Sequence, residues 1–95
     1  MMIRSDMRVE TRVQGPTMRN DADRDKELQL QQAVGANIRR FRLERNMTQR
    51  ELAERAGLKA DYVSRLERGK CNAPLSRIEA IGNVLGVPAS ELFVR

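Results

Sequence analysis

Apolar positions recur at helical spacing through most of this chain. Leu30, Val34, Ile38 and Phe41 fall at i, i+4, i+8 and i+11, a continuous stripe that predicts a long helix over 28–45. Arg39, Arg40, Arg42 and Arg45 crowd its last two turns, where cations favour the helix dipole. Asn46 follows where a left-handed C-cap is expected, and Met47 turns inward after it. Thr48 and Glu51 have capping-box spacing, and Leu52, Ala53 and Ala56 share one face of the short helix they start. Gly57 ends that helix. A second short segment, 59–68, has Val63 and Leu66 as its apolar pair. Its other side carries Lys59, Ala60, Asp61, Tyr62, Ser64, Arg65 and Arg68. After a loop over 69–74, the pattern predicts a helix over 75–85 with Leu75, Ile78, Ile81 or Gly82, and Leu85 facing inward. Gly82 costs about 1 kcal/mol of helix propensity against Ala. Gly86 stops this helix, and Pro88 opens a last helical turn over 89–93. Five helices, no strand and short connections predict an all-α domain.

Residues 1–24 read differently. Met7, Val9 and Val13 are isolated aliphatics without a sustained period, Gly15-Pro16 is a breaker, and 20–26 is charged with alternating sign. The expectation is a flexible N-terminal arm over 1–24, with helix starting near Asp23 or Asp25 and a folded domain over 25–95. Met2, Met7 and Met18 also offer later translation starts.

Charge sharpens this division. Residues 1–27 hold six basic and six acidic side chains, whereas 28–95 hold twelve and seven, so the whole net charge of +5 lies on the predicted domain. A basic balance there favours a polyanionic partner such as nucleic acid, with solubility the plainer reading. Aromatics are only 3%, so the core must be aliphatic. One cysteine and no histidine provide neither an internal disulfide nor a zinc ligand set, and no metal or cofactor is expected. No run approaches the roughly 18 apolar residues of a membrane span, and no signal-peptide core opens the chain, so a cytoplasmic protein with no membrane association is expected.

Two short helices, a tight turn and a polar outer face on the second describe a helix-turn-helix over 48–69. This stretch resembles the phage-repressor type, the Cro/XRE family. The matching residues are Thr48-Gln49, Glu51-Leu52-Ala53, Gly57-Leu58, Tyr62-Val63-Ser64 and Leu66-Glu67-Arg68-Gly69. Upstream, Val34-Gly35, Ile38-Arg39 and Phe41-Arg42 extend the match; downstream, Pro74-Leu75, Ile78, Leu85-Gly86-Val87 and Leu92-Phe93 do. Asp61-Tyr62 and the run Glu67-Arg68-Gly69-Lys70 to Asn72 are similar to the controller proteins of restriction-modification systems.

The resemblance implies that the helix near 59–68 reads DNA, its first turn entering the major groove. Arg65 then stands at a base-reading position, where its fork matches guanine O6 and N7. The alternative is a surface arginine paired with Asp61 at i−4, worth about 0.3–0.5 kcal/mol. Ala60 would touch a thymine methyl, and Ser64 completes the face. Asp61 either accepts from a cytosine amine or stabilises the first helical turn. Gln49, Lys59, Tyr62, Arg68, Lys70 and Asn72 are candidates for the DNA backbone, with Lys59 standing where the family more often has a Ser or Thr cap. Arg39, Arg40 and Arg50 individually read better as solvated charges. In the family, positions matching Arg42 and Glu67 form a partly buried ion pair. Gly82 stands where the family usually has Ala, so the resemblance implies a close helix crossing as the reason for the small residue. Cys71 reads as a semi-buried small residue, with a redox thiol as the lesser alternative.

The functional expectation is a sequence-specific transcription regulator. One small domain buries little DNA, so it would bind an inverted-repeat operator as a homodimer. The arm is an alternative source of the dimer surface, but Val84, Val87, Leu92, Phe93 and Val94 leave more apolar surface than one small core needs. In the arm, Arg4, Arg8, Arg12 and Arg19 would reach phosphates or the minor groove. The alternative function is an antitoxin that binds a toxin through the arm and represses its own operon, since fold does not settle function. An enzyme is poorly supported, because histidine, a metal constellation and a phosphate-binding glycine loop are all lacking.

Overall fold

The computed structural model describes residues 21–95, with side chains from Asp23 onward. Most of the expected arm, with its four arginines and its suggested protein partner, lies outside the described residues. Four α-helices follow in order: α1 Asp21–Glu44, α2 Gln49–Ala56, α3 Ala60–Glu67 and α4 Leu75–Leu85, then a 3-10 helix over Ala89–Phe93. Among the described residues there is no strand. α1 begins at Asp21, ahead of the start expected near Asp23 or Asp25, so 21–24 belong to the helix and not to the arm. Asp23 lies in the first turn, where an acid suits the positive end of the helix dipole. The fifth expected helix is a 3-10 segment of five residues, a length at which the tighter turn is common.

Local signals set the joints. The Thr48 hydroxyl accepts from the Glu51 N–H at 3.0 Å, while the Glu51 carboxylate accepts from the Thr48 N–H at 2.8 Å, closing the capping box on α2. Asn46 has φ 56°, and Gly57 at the end of α2 has φ 73°, both left-handed. The α2–α3 turn is therefore tight, and α3 leaves α2 at a fixed angle.

Ile38, Leu52, Val63, Leu66, Ile81 and Leu85 are fully buried between the helices, joined by Val34, Phe41, Met47, Ala53 and Ile78. Gly35 is where α1 and α3 meet backbone to backbone: a Cβ there would run into the Leu66 and Glu67 carbonyl oxygens. Asn37, buried on α1, donates from Nδ2 to the carbonyls of Leu92 at 3.0 Å and Val94 at 2.6 Å, which ties the C-terminal segment to α1.

Three expectations change. Leu75 is 72% exposed, because α4 starts beyond the edge of the core and meets it only at Ile78, one turn later. Leu92 is 0% exposed; the 3-10 turn drives it into the core, so it is unavailable to a dimer surface. Gly82 is crowded by the backbone that folds back after Gly86 and not by a crossing α-helix: a Cβ would lie 2.8 Å from the Val87 carbonyl oxygen. Leu30, Val34, Leu66, Leu75, Ile78 and Phe93 line an apolar cleft of about 390 Å³, bordered by Cys71 and Asn72.

Candidate nucleic-acid interface

α3 has one buried side and one open side. Val63, Leu66 and Glu67 are buried, while Asp61 and Arg65 are exposed and Ala60 and Ser64 half-buried. The four open residues fall at i, i+1, i+4 and i+5, so they share one outward face of the helix. Lys59 is the N-cap with no side-chain cap bond, so α3 begins on backbone bonds alone: the Tyr62 and Val63 N–H groups donate to the Lys59 carbonyl. Its ammonium is thereby left at the exposed entry to the helix.

The buried side is fixed by charge as well as by packing. Arg42 donates from Nε to Glu67 Oε2 at 2.6 Å and from Nη2 to Oε1 at 3.0 Å, and its Nη1 donates to the Met47 carbonyl at 2.7 Å. The side chains are 8% and 2% exposed, so this bidentate pair joins the end of α1 to the end of α3 in a dry site. The hydrogen bond to Glu67 raises the Arg42 pKa, against burial, which lowers it. Gln49 turns the same way, its Nε2 donating to Glu67 Oε1 at 3.0 Å. In the free protein the Gln49 amide is thus engaged with the ion pair beneath α3 and not turned outward.

The remaining candidates separate by location. Arg39, Gln49, Arg50 and Ala60 line one recess, beside the start of α3. Sequence reasoning gave Arg39 and Arg50 little weight as isolated charges; the fold brings them together. Lys59, Asp61, Tyr62 and Arg65 line a second recess with Arg77 of α4. Arg65 does not pair with Asp61: among the described residues Asp61 makes no ion pair, and the Arg65 guanidinium carbon lies 5.7 Å from the Tyr62 ring centroid. Arg77, which sequence reasoning missed, lies 5.0 Å from the same centroid. In sequence it is one charge on the polar side of α4, and only the packing of α4 beside α3 distinguishes it. Arg68 and Lys70 are exposed just past α3, with Arg68 Nε 3.4 Å from the Ser64 carbonyl. Asn72 is set apart from these, at the rim of the apolar cleft.

Among the described residues no helix is long and apolar enough to cross a membrane. Residues 33–92 match the family described as Helix-turn-helix domain. An immunity repressor protein of Bacillus phage phi105 is 41% identical over 59 residues, covering 62% of this chain and 41% of the repressor. A hypothetical transcription factor of Neisseria meningitidis serogroup B is 40% identical over 68 residues, covering 72% of this chain and 64% of that protein. The chain thus spans less than two thirds of each of these relatives. The crystal structure of a hypothetical transcription factor from Neisseria superposes with a TM-score of 0.68 at 40% identity, covering 72% of this chain and 76% of that one. The restriction-modification controller protein C.AhdI from Aeromonas hydrophila superposes with a TM-score of 0.65 at 32% identity, covering 66% of this chain and 96% of that one. The buried ion pair beneath α3, the open polar face above it and these likenesses agree: the chain belongs to the helix-turn-helix family of DNA-binding transcription regulators.

Proposed function

We propose that this regulator binds an inverted-repeat operator as a homodimer, with α3 of each protomer in the major groove of one half-site. The observation that carries this reading is the division of α3. Its apolar residues and Glu67 are committed to the core, and Ala60, Asp61, Ser64 and Arg65 remain on a common outer face. Arg65, with no carboxylate partner among the described residues, serves guanine; Ala60 serves a thymine methyl, and Asp61 a cytosine amine. Lys59, Tyr62, Arg68 and Lys70, with Arg39 and Arg50, hold the sugar-phosphate backbone, and Gln49 joins them by turning its amide from Glu67 to a phosphate on binding.

A dimer is required because one small domain buries little DNA surface. Val84, Val87 and Phe93 are half-buried and Leu75 and Val94 are exposed, so α4, the 3-10 turn and the residue after it keep apolar side chains partly open, Leu75 and Phe93 of them at the cleft. That surface supports a two-fold contact through α4 and the 3-10 turn. The alternative toxin-binding role rests on the arm, which lies outside the described residues. Selection of bound duplexes from a random pool tests the proposal. It should return two inverted half-sites at fixed spacing, bound by two chains; enrichment of a single unrepeated site, or of no sequence, refutes it.

A further inference from the structure

Two guanidinium groups are held against one aromatic ring on the α4 side of α3. Arg65 and Arg77 lie 5.7 and 5.0 Å from the Tyr62 centroid, within cation–π range. Gly57, Leu58, Lys59 and Asp61 complete a notch of about 400 Å³ around them. Three cations therefore face one carboxylate, and among the described residues none of the four is in an ion pair. Three cations against one carboxylate leave an excess of positive charge, and an anion in the notch offsets it.

The position of the notch indicates which anion. A helix about 10–12 Å across fills a major groove about 12 Å wide, so a phosphate strand runs along each side of it. α3 has a basic recess on both sides: Arg39 and Arg50 beside Ala60, and Lys59, Arg65 and Arg77 around Tyr62.

We propose that the notch of Lys59, Tyr62, Arg65 and Arg77 is a DNA-phosphate site and that Arg77 is its contact from α4. The proposal rests on the DNA-binding reading above and adds a residue outside the helix-turn-helix motif. Arg77 fixes how deeply α3 sits, and it shares the Tyr62 ring with Arg65, so Arg65 can turn to the bases while Arg77 keeps the phosphate.

The test uses the full chain and one duplex recovered by selection, titrated between about 50 and 200 mM salt. One phosphate contact contributes a slope of about −0.9 in log K against log salt, or about 3.5-fold of the weakening across that range. Arg77→Gln should lose about one such unit of slope and weaken selected and scrambled duplexes by similar factors, with base preference kept. Arg77→Lys, which retains the charge, should keep the slope. Arg24→Gln, the same charge change near the start of α1, should leave the slope nearly as in the wild type. Circular dichroism melts verify that each variant is folded. An Arg77→Gln protein that is folded but matches the wild type in affinity and slope overturns the phosphate site and leaves the regulator reading intact. A wild-type chain that binds no duplex overturns both.

Discussion

Gln49 and Arg42 donate to the same carboxylate oxygen, Glu67 Oε1, each at 3.0 Å. The residue that opens α2 and the residue near the end of α1 are thus tied to one acid at the end of α3. Truncating Glu67 leaves the Arg42 guanidinium buried with only the Met47 carbonyl as partner. Glu67→Ala should therefore destabilise the domain by about 3–5 kcal/mol. In a domain of this size that lowers Tm by well over 10 °C, at about 4–8 °C per kcal/mol. Thermal melts of Glu67→Ala and Arg42→Ala, with the double mutant, check it: the double mutant should be less destabilised than the sum of the singles. Because the Arg42 pKa is raised, its contribution is complete at neutral pH and is lost only as pH rises past the ordinary arginine range.

Gly35→Ala should destabilise, although Ala is the better helix former by about 1 kcal/mol. The added Cβ meets the Leu66 and Glu67 carbonyl oxygens, which are backbone and cannot move aside without shifting α3. A net loss of about 1–3 kcal/mol is expected. Urea titration measures it, and a more stable Gly35→Ala variant would show that α1 and α3 can separate freely.

Asn37→Ala should release the C-terminal segment. It strips the Leu92 and Val94 carbonyls of their shared donor inside the protein, at about 1–3 kcal/mol for the buried group left unsatisfied. Amide exchange should accelerate first in the 3-10 turn and the residues after it, with α2 and α3 little affected. Uniform acceleration across all helices would mean that Asn37 supports the whole core and not this one joint.

What the sequence reveals about this fold is what is encoded locally. The Leu30–Val34–Ile38–Phe41 stripe, the Thr48–Glu51 box and Asn46 act within a few residues of themselves, and their geometry follows from spacing and backbone preference. Periodicity does not say where a core ends, so Leu75 looked inward from the pattern and is outside it. Leu92 was misplaced for the opposite reason, since a 3-10 turn rotates each residue further than an α-helix does and carries this one inward. Asn37 carried no signal because its partners are 55 and 57 residues away. At the candidate interface the face of α3 was legible from its apolar pair. The engagement of Gln49 with Glu67, and the gathering of Arg77 beside Arg65, depend on how α2 and α4 pack and were not.

The central claim is that the open face of α3 reads bases, and Arg65 tests it most directly. Wild-type and Arg65→Ala chains are titrated against the selected operator and against half-sites with each guanine replaced in turn. The wild type should lose about 1–3 kcal/mol at one guanine, and Arg65→Ala should bind the original and that substituted duplex equally. An Arg65→Ala chain that keeps the wild-type preference at every guanine would contradict the account.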